Sequence, residues 1–147
     1  MAVPVKKDQE IDLRIDSLAY GGRGVARLNG FVVFVNRALP GDVVRARVTK
    51  VKKSHAEAVS VAVVEPGAPR VEAPCQHYPE CGGCRFQDLA YEAQLDAKAH
   101  QVADSLARIG KLEIELEPAV PASSVFHYRN KLEYSFTTLE DGTLGLG

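Results

Sequence analysis

Tryptophan is absent from this 147-residue sequence, methionine occurs once, and aromatic residues make up only 7%. A core built here must therefore come from Val, Ile, Leu and Ala, and at this length it is a modest one. Long apolar runs are also missing. No stretch of about 18 apolar residues occurs, which excludes a membrane-spanning helix. Residues 1–7 lack the apolar segment of a secretion signal, so a reducing, cytoplasmic setting is expected. The remaining composition, 46% hydrophobic and 25% charged, is that of an ordinary globular chain with one domain or two small ones.

A large charge of either sign is missing too, since the formal net charge is −1. That neutrality hides a division. Residues 1–70 carry 12 Lys and Arg against 7 Asp and Glu, and residues 71–147 carry 6 against 12, so a +5 half is joined to a −6 half. Such asymmetry is a hint of nucleic-acid contact by the basic half, or simply of two solvated surfaces that differ.

The basic half has the periodicity of strands. Over residues 10–18, Ile11, Leu13 and Ile15 alternate with Glu10, Asp12, Arg14 and Asp16, the period of a half-buried strand. Glycines at 21, 22 and 24 break it. A second strand over 24–28 leads into Asn29-Gly30, the dipeptide of a type I′ hairpin turn, and into a β-branched and aromatic run over 31–35. Residues 39–42 read as a turn, 43–53 as a fourth strand and 56–64 as a fifth. Arg45 and Arg47 share one face of the fourth strand, and Lys50 and Lys52 fall on the other unless a bulge near Thr49 shifts the register. Five closely spaced strands with glycines at the corners predict an OB-like barrel, so the fold class is β-rich α+β.

Such barrels often bind single-stranded nucleic acid on a basic face with aromatics. The candidates are Arg23, Arg27, Phe31, Arg37, Arg45, Arg47, Lys50, Lys52 and Lys53. Phe31 and Phe34 are three apart in one strand and so face opposite sides, with at least one in the core.

The three cysteines form a C-x5-C-x2-C pattern at Cys75, Cys81 and Cys84, beside Gly82 and Gly83. Clustered thiolates in a chain without a secretion signal favour zinc or an iron–sulfur cluster over disulfides. A fourth cysteine is lacking. His77, inside the loop, can complete a zinc site, and the spacing alone does not choose between the metals. Beyond the loop, Tyr91, Leu95, Ala99, Val102, Leu106 and Ile109 recur at helical spacing. They predict a packing helix over 88–110 that shields the cysteine loop, with Asp88 as N-cap and Gly110 just past its end. Residues 111–147 read as the start of a further β domain. Leu132, Tyr134 and Phe136 lie on one face of a strand without partners, and residues 143–147 resemble a strand cut in mid-course.

Four stretches together resemble the N-terminal part of the bacterial RNA (uracil-5-)-methyltransferases, in particular the 23S rRNA group. Residues 18–27 (Leu-Ala-Tyr-Gly-Gly-Arg-Gly-Val-Ala-Arg), with Phe34-Val35 and the Leu-Pro-Gly-Asp of 39–42, resemble a TRAM domain, an OB-like RNA-binding barrel. Pro74 with the three cysteines resembles the family's 4Fe–4S motif. Residues 87–91 with Gln94 and Lys98 resemble its linking helix, and Tyr-Arg-Asn-Lys at 128–131 resembles the opening of its central domain. The organisation so implied is a TRAM domain over 1–66, a cysteine loop over 67–87, the helix over 88–110 and an incomplete central domain over 111–147.

The resemblance implies an enzyme that moves a methyl group from S-adenosylmethionine to C5 of a uridine in rRNA or tRNA. It also implies a 4Fe–4S cluster on Cys75, Cys81 and Cys84 with its fourth cysteine beyond this sequence, and RNA contacts from Arg129, Asn130 and Lys131. The catalytic cysteine, the base and the cofactor domain would lie downstream, leaving no catalytic residue here. The chain alone is then expected to be an inactive, monomeric, truncated piece. Two alternatives stand beside this. One is a free-standing TRAM module with a small zinc site. The other is a radical S-adenosylmethionine enzyme, whose C-x3-C-x2-C motif the observed spacing disfavours.

Overall fold

A computed structural model describes residues 3–80, 82–131, 133–139 and 141–146. Six strands form one mixed sheet: β1 (Glu10–Arg14), β2 (Ser17–Leu18), β3 (Gly24–Leu28), β4 (Phe31–Asn36), β5 (Val43–Val51) and β6 (His55–Glu65), in the order β1-β5-β6-β4-β3-β2. All neighbours are antiparallel except β4 and β6. The two ends of this order, β1 and β2, are consecutive pieces of one stretch of chain. At the bend between them the Ile15 N–H donates to Asp42 O at 2.9 Å and the Asp16 N–H to Val25 O at 2.8 Å. The chain thus leaves β5 and joins β3 within two residues, and the sheet closes into a barrel. The five predicted strands are all present, the first divided by this bend.

Closure explains the core. Alternate residues of every strand point inward and meet the opposite wall, so Leu13, Ile15, Val33, Val35, Val44 and Val48 are buried with Ala26, Ala46, Ala56 and Ala58. Alanines on three strands leave the narrow interior room for the branched side chains, and no large aromatic is required. Asn29 and Gly30 adopt φ of 53° and 82°, as the predicted hairpin turn needs. The register of β5 against β6 shifts between Val48 and Lys50, so a bulge does lie at Thr49. Val48 faces inward, Val51 packs against the core, and Lys50 lies exposed with Arg45 and Arg47. β5 stops at Val51, and Lys52 and Lys53 turn the chain into β6, where the Lys52 N–H donates to His55 O at 2.9 Å.

A second, smaller cluster of Leu18, Leu39 and Leu89, with Phe86, Ala93 and Ala97 against it, joins the barrel to the helix α1 (Tyr91–Ser105). The helix begins at Tyr91, with Ala90 as N-cap; Asp88 has its carboxylate engaged elsewhere and does not cap. A wider turn over Leu106–Gly110 ends the helical run, and Lys111 instead of Gly110 takes the left-handed conformation, with φ 55°. The face that docks also differs from the expected one. Ala93, Ala97 and Gln101 meet the barrel, Gln101 Nε2 donating to the carbonyls of Leu18 at 3.1 Å and Ala19 at 3.2 Å. Of the apolar stripe, Val102 is 51% and Ile109 83% exposed. Small residues let the helix backbone approach the 18–19 carbonyls, and the glutamine satisfies them; the larger stripe is too bulky for that contact.

Beyond the helix, β7 (Phe136–Thr138) pairs antiparallel with β8 (Leu144–Leu146). The strand expected to lack a partner therefore has one, within a two-stranded hairpin. Tyr134, Phe136, Leu144 and Leu146 remain exposed. Leu132, expected on the same face, and Gly147 lie outside the described residues.

Candidate nucleic-acid interface and cysteine site

The outer face of the barrel carries a row of polar and aromatic groups across β3, β4, β6 and β5. Phe34 pairs in register with Glu57, which pairs with Lys50. The Arg23 guanidinium sits 4.8 Å from the centroid of the Phe34 ring, a cation–π contact. His55 meets the same ring edge-on, with centroids 5.4 Å apart, and lies 4.0 Å from the Glu57 carboxylate. The aromatic of this face is Phe34, whereas Phe31, the residue expected there, is half-buried and packs against the core. The reason is parity: Phe31, Val33 and Val35 share the inward side of β4.

The basic residues divide by their partners. Arg27 pairs with Asp16 at 3.0 Å, Arg45 holds both oxygens of Asp12 at 2.9 and 3.0 Å, and Lys52 reaches Glu57 at 3.4 Å. The Arg45 hydrogen bond holds the Asp12 carboxyl below its ordinary value. Arg37, Arg47, Lys50 and Lys53 are exposed and have no carboxylate within 4.0 Å among the described residues. Far from this face in sequence, Arg129, Asn130 and Lys131 are exposed, and Lys131 pairs with Glu133 at 3.0 Å.

The cysteine loop is built around Gln87. Its Oε1 accepts the Cys75 N–H at 3.0 Å, and its Nε2 donates to Cys84 Sγ at 3.4 Å. Cys75 and Cys84 line one small cleft with His77, Tyr78 and Gly82; Cys81 lies outside the described residues. The donor set fits a soft metal centre. Two thiols open onto a common cleft, and an amide hydrogen bond to sulfur is one of the means by which such ligands are oriented and tuned. No group of three metal-ligating side chains converges among the described residues.

A buried polar chain ties this loop to the barrel. Asp42, fully buried in the turn after β4, accepts the N–H groups of Gly67 and Ala68 at 2.9 Å each and the Arg70 guanidinium at 2.6 Å. Burial pushes its carboxyl up, but these donors outweigh it and hold it below its ordinary value. Arg70 also donates to Asp88, which accepts the Tyr78 hydroxyl on its other oxygen. Burial and the neighbouring Asp88 carboxylate push the Tyr78 phenol well up. Backbone pairing of the Val71 N–H with Asp88 O at 2.9 Å and of the Ala90 N–H with Pro69 O at 2.8 Å holds Arg70 against Asp88. In the sequence Asp42 reads as a turn residue, and Arg70 marks only the end of the basic half, after the proline- and glycine-rich residues 66–69. The only signal for more is that each is a charge beside a glycine or proline cluster.

A closed barrel with a basic, aromatic outer face, followed by a cysteine loop, defines a class. A family model for the TRAM domain matches residues 4–61, nearly the span of the barrel. An uncharacterized RNA methyltransferase of Halalkalibacterium halodurans is 37% identical over 96% of this chain and 31% of its own length. Another, of Nitratidesulfovibrio vulgaris, is 44% identical over 93% of this chain and 30% of its own. A conserved protein of Methanococcus maripaludis, solved in solution, is 43% identical over 42% of this chain and 87% of its own, with a TM-score of 0.40. The chain spans about a third of the length of the curated relatives it matches, and over nearly all of its own length it is similar to proteins named as RNA methyltransferases.

Proposed function

We propose that these residues form the RNA-recruiting and iron–sulfur-binding part of an enzyme that methylates C5 of uridine in rRNA or tRNA from S-adenosylmethionine. The observation that carries the RNA reading is the outer barrel face. Phe34 presents a ring backed by Arg23, and Lys50, Lys53, Arg37 and Arg47 are cations free of protein carboxylates within the described residues. Free cations release counterions on meeting phosphate, and a ring beside them offers a stacking platform. RNA affinity of the chain should fall with salt and drop on Lys50/Lys52/Lys53→Ala; unchanged binding overturns this face.

Cys75, Cys81 and Cys84 would hold the cluster, with its fourth iron ligated from outside this sequence. The cluster is a structural staple in this reading, since methyl transfer from S-adenosylmethionine by nucleophilic and base catalysis moves no electron. Anaerobic reconstitution should give a broad absorption at roughly 400 nm from thiolate-to-iron charge transfer. A second reading, zinc on the three cysteines and His77 of a free-standing RNA-binding module, is favoured by His77 lining the same cleft as Cys75 and Cys84. Stoichiometric zinc with no reconstitutable iron would establish it. Attack on C6 and removal of the C5 proton would be the work of residues outside this chain. Release of a C5 tritium label from RNA uridine by the whole enzyme tests that assignment.

A further inference from the structure

The turn that carries Arg23 touches the cysteine loop. A Cβ placed on Gly22 would sit 2.7 Å from Arg85 Cβ and 2.9 Å from the Phe86 ring, and Gly22 has φ +80°. No other residue type fits between the barrel turn and the loop without displacing one of them. Phe86 is anchored in the cluster of Leu18, Leu39 and Leu89, so the loop is fixed where it meets the barrel. One peptide unit separates Gly22 from Arg23, which puts Arg85 Cβ within about 8 Å of Arg23 Cα. Arg85 is exposed and has no carboxylate within 4.0 Å among the described residues.

We propose that Arg85 extends the nucleic-acid face from the barrel onto the cysteine loop, where it binds an RNA phosphate beside the Arg23–Phe34 stack. The inference rests on the RNA-binding reading above and adds a contact from outside the TRAM domain. Two guanidiniums on adjoining loops, one of them over the Phe34 ring and neither paired with a carboxylate among the described residues, suit a phosphate and the base attached to it. The loop then has a second role: it presents Arg85, and the Gly22 contact sets the distance between the two arginines. RNA affinity becomes dependent on the docking of the loop.

The test measures binding of the full chain to a short, uridine-rich single-stranded RNA across a salt series. Arg85→Ala should weaken binding roughly three- to tenfold at low salt and reduce the salt slope by about one phosphate contact. Arg85→Lys should restore the slope and part of the affinity. In a Gly22→Ala background, where the loop is pushed off, Arg85→Ala should change affinity by less than about twofold, the sign of coupling in a double-mutant cycle. Unchanged affinity and slope for Arg85→Ala, with Lys50/Lys53→Ala still weakening binding, overturn the role of Arg85 and leave the barrel face standing. No effect from either set overturns the RNA reading and the proposal together. The Arg85→Ala and Arg85→Lys arms stand by themselves if Gly22→Ala fails to fold.

Discussion

The barrel and the C-terminal hairpin are written in the same alphabet of alternating apolar and polar residues, yet only one of them is a folded core. In the barrel each inward side chain meets another strand, and Val33, Val35, Val44 and Val48 are completely buried. In β7 and β8 the same kind of alternation leaves Phe136 77% and Leu144 79% exposed. Two three-residue strands have no opposite wall among the described residues, and an isolated hairpin of that size is marginal in water. Alternation makes a strand amphipathic, and closure is what turns it into stability.

The comparison breaks most sharply on paired truncations. Leu13→Ala should cost about 2–5 kcal/mol and lower the melting temperature of the chain, because the barrel cannot collapse around the gap. Phe136→Ala should stay within about 0.5 kcal/mol in the same thermal unfolding experiment. Equal effects would mean that the hairpin folds as one unit with the barrel. The next largest effect belongs to the joint between the barrel and the loop. Arg70→Ala leaves the Asp42 and Asp88 carboxylates without their shared cation and should cost about 1–3 kcal/mol. The loss should appear as faster hydrogen exchange at Gly67, Ala68 and Val71 and earlier proteolysis of the cysteine loop, with the barrel strands still protected.

The same joint gives a pH prediction. The Asp42 carboxyl lies below the ordinary aspartate value of 3.8, so its contribution is complete above that pH. It is lost as pH falls through the lower folded-state value, where protonation removes an acceptor from the Gly67 and Ala68 N–H groups. Exchange at those two amides should accelerate below about pH 3.8 in the native chain and lose that acid dependence in Asp42→Asn. Smallest of all, Arg27→Ala should cost only about 0.2–1 kcal/mol and less in high salt, since its pair with Asp16 is exposed. A larger loss in denaturant unfolding would show that this pair helps to hold β2 on β3.

Much of the barrel is legible in the residues. The residues alone leave the bulge near Thr49 open, but the alternation over 10–18 and the Asn29-Gly30 turn follow from local rules. They concern neighbours in sequence, whose geometry is set by φ, ψ and the period of a strand. The candidate site is legible in part. The cysteines and the lysines of the β5–β6 turn stand out by type and spacing. The choice of Phe34 over Phe31 does not, because parity within β4 has meaning only once the inward side is known. The docking face of α1 is also hidden. Leu95, Val102 and Ile109 are the more hydrophobic stripe, but the surface on offer is Leu18, Leu89 and two carbonyls, which select Ala93, Ala97 and Gln101.

By itself the sequence determined the strands, their turns, the basic half and the grouping of three thiols, since each depends on residues close along the chain. Tertiary structure alone decided what those pieces touch. It brought Asp42, Arg70, Asp88 and Tyr78 into one chain of hydrogen bonds, and it set Gly22 of the barrel against Arg85 of the cysteine loop. The residues joined in this way lie up to about 60 positions apart, and a contact over that distance has no local signature. It exists only because the barrel closes, which fixes the 18–24 turn and the 39–42 turn as a surface on which the loop can dock.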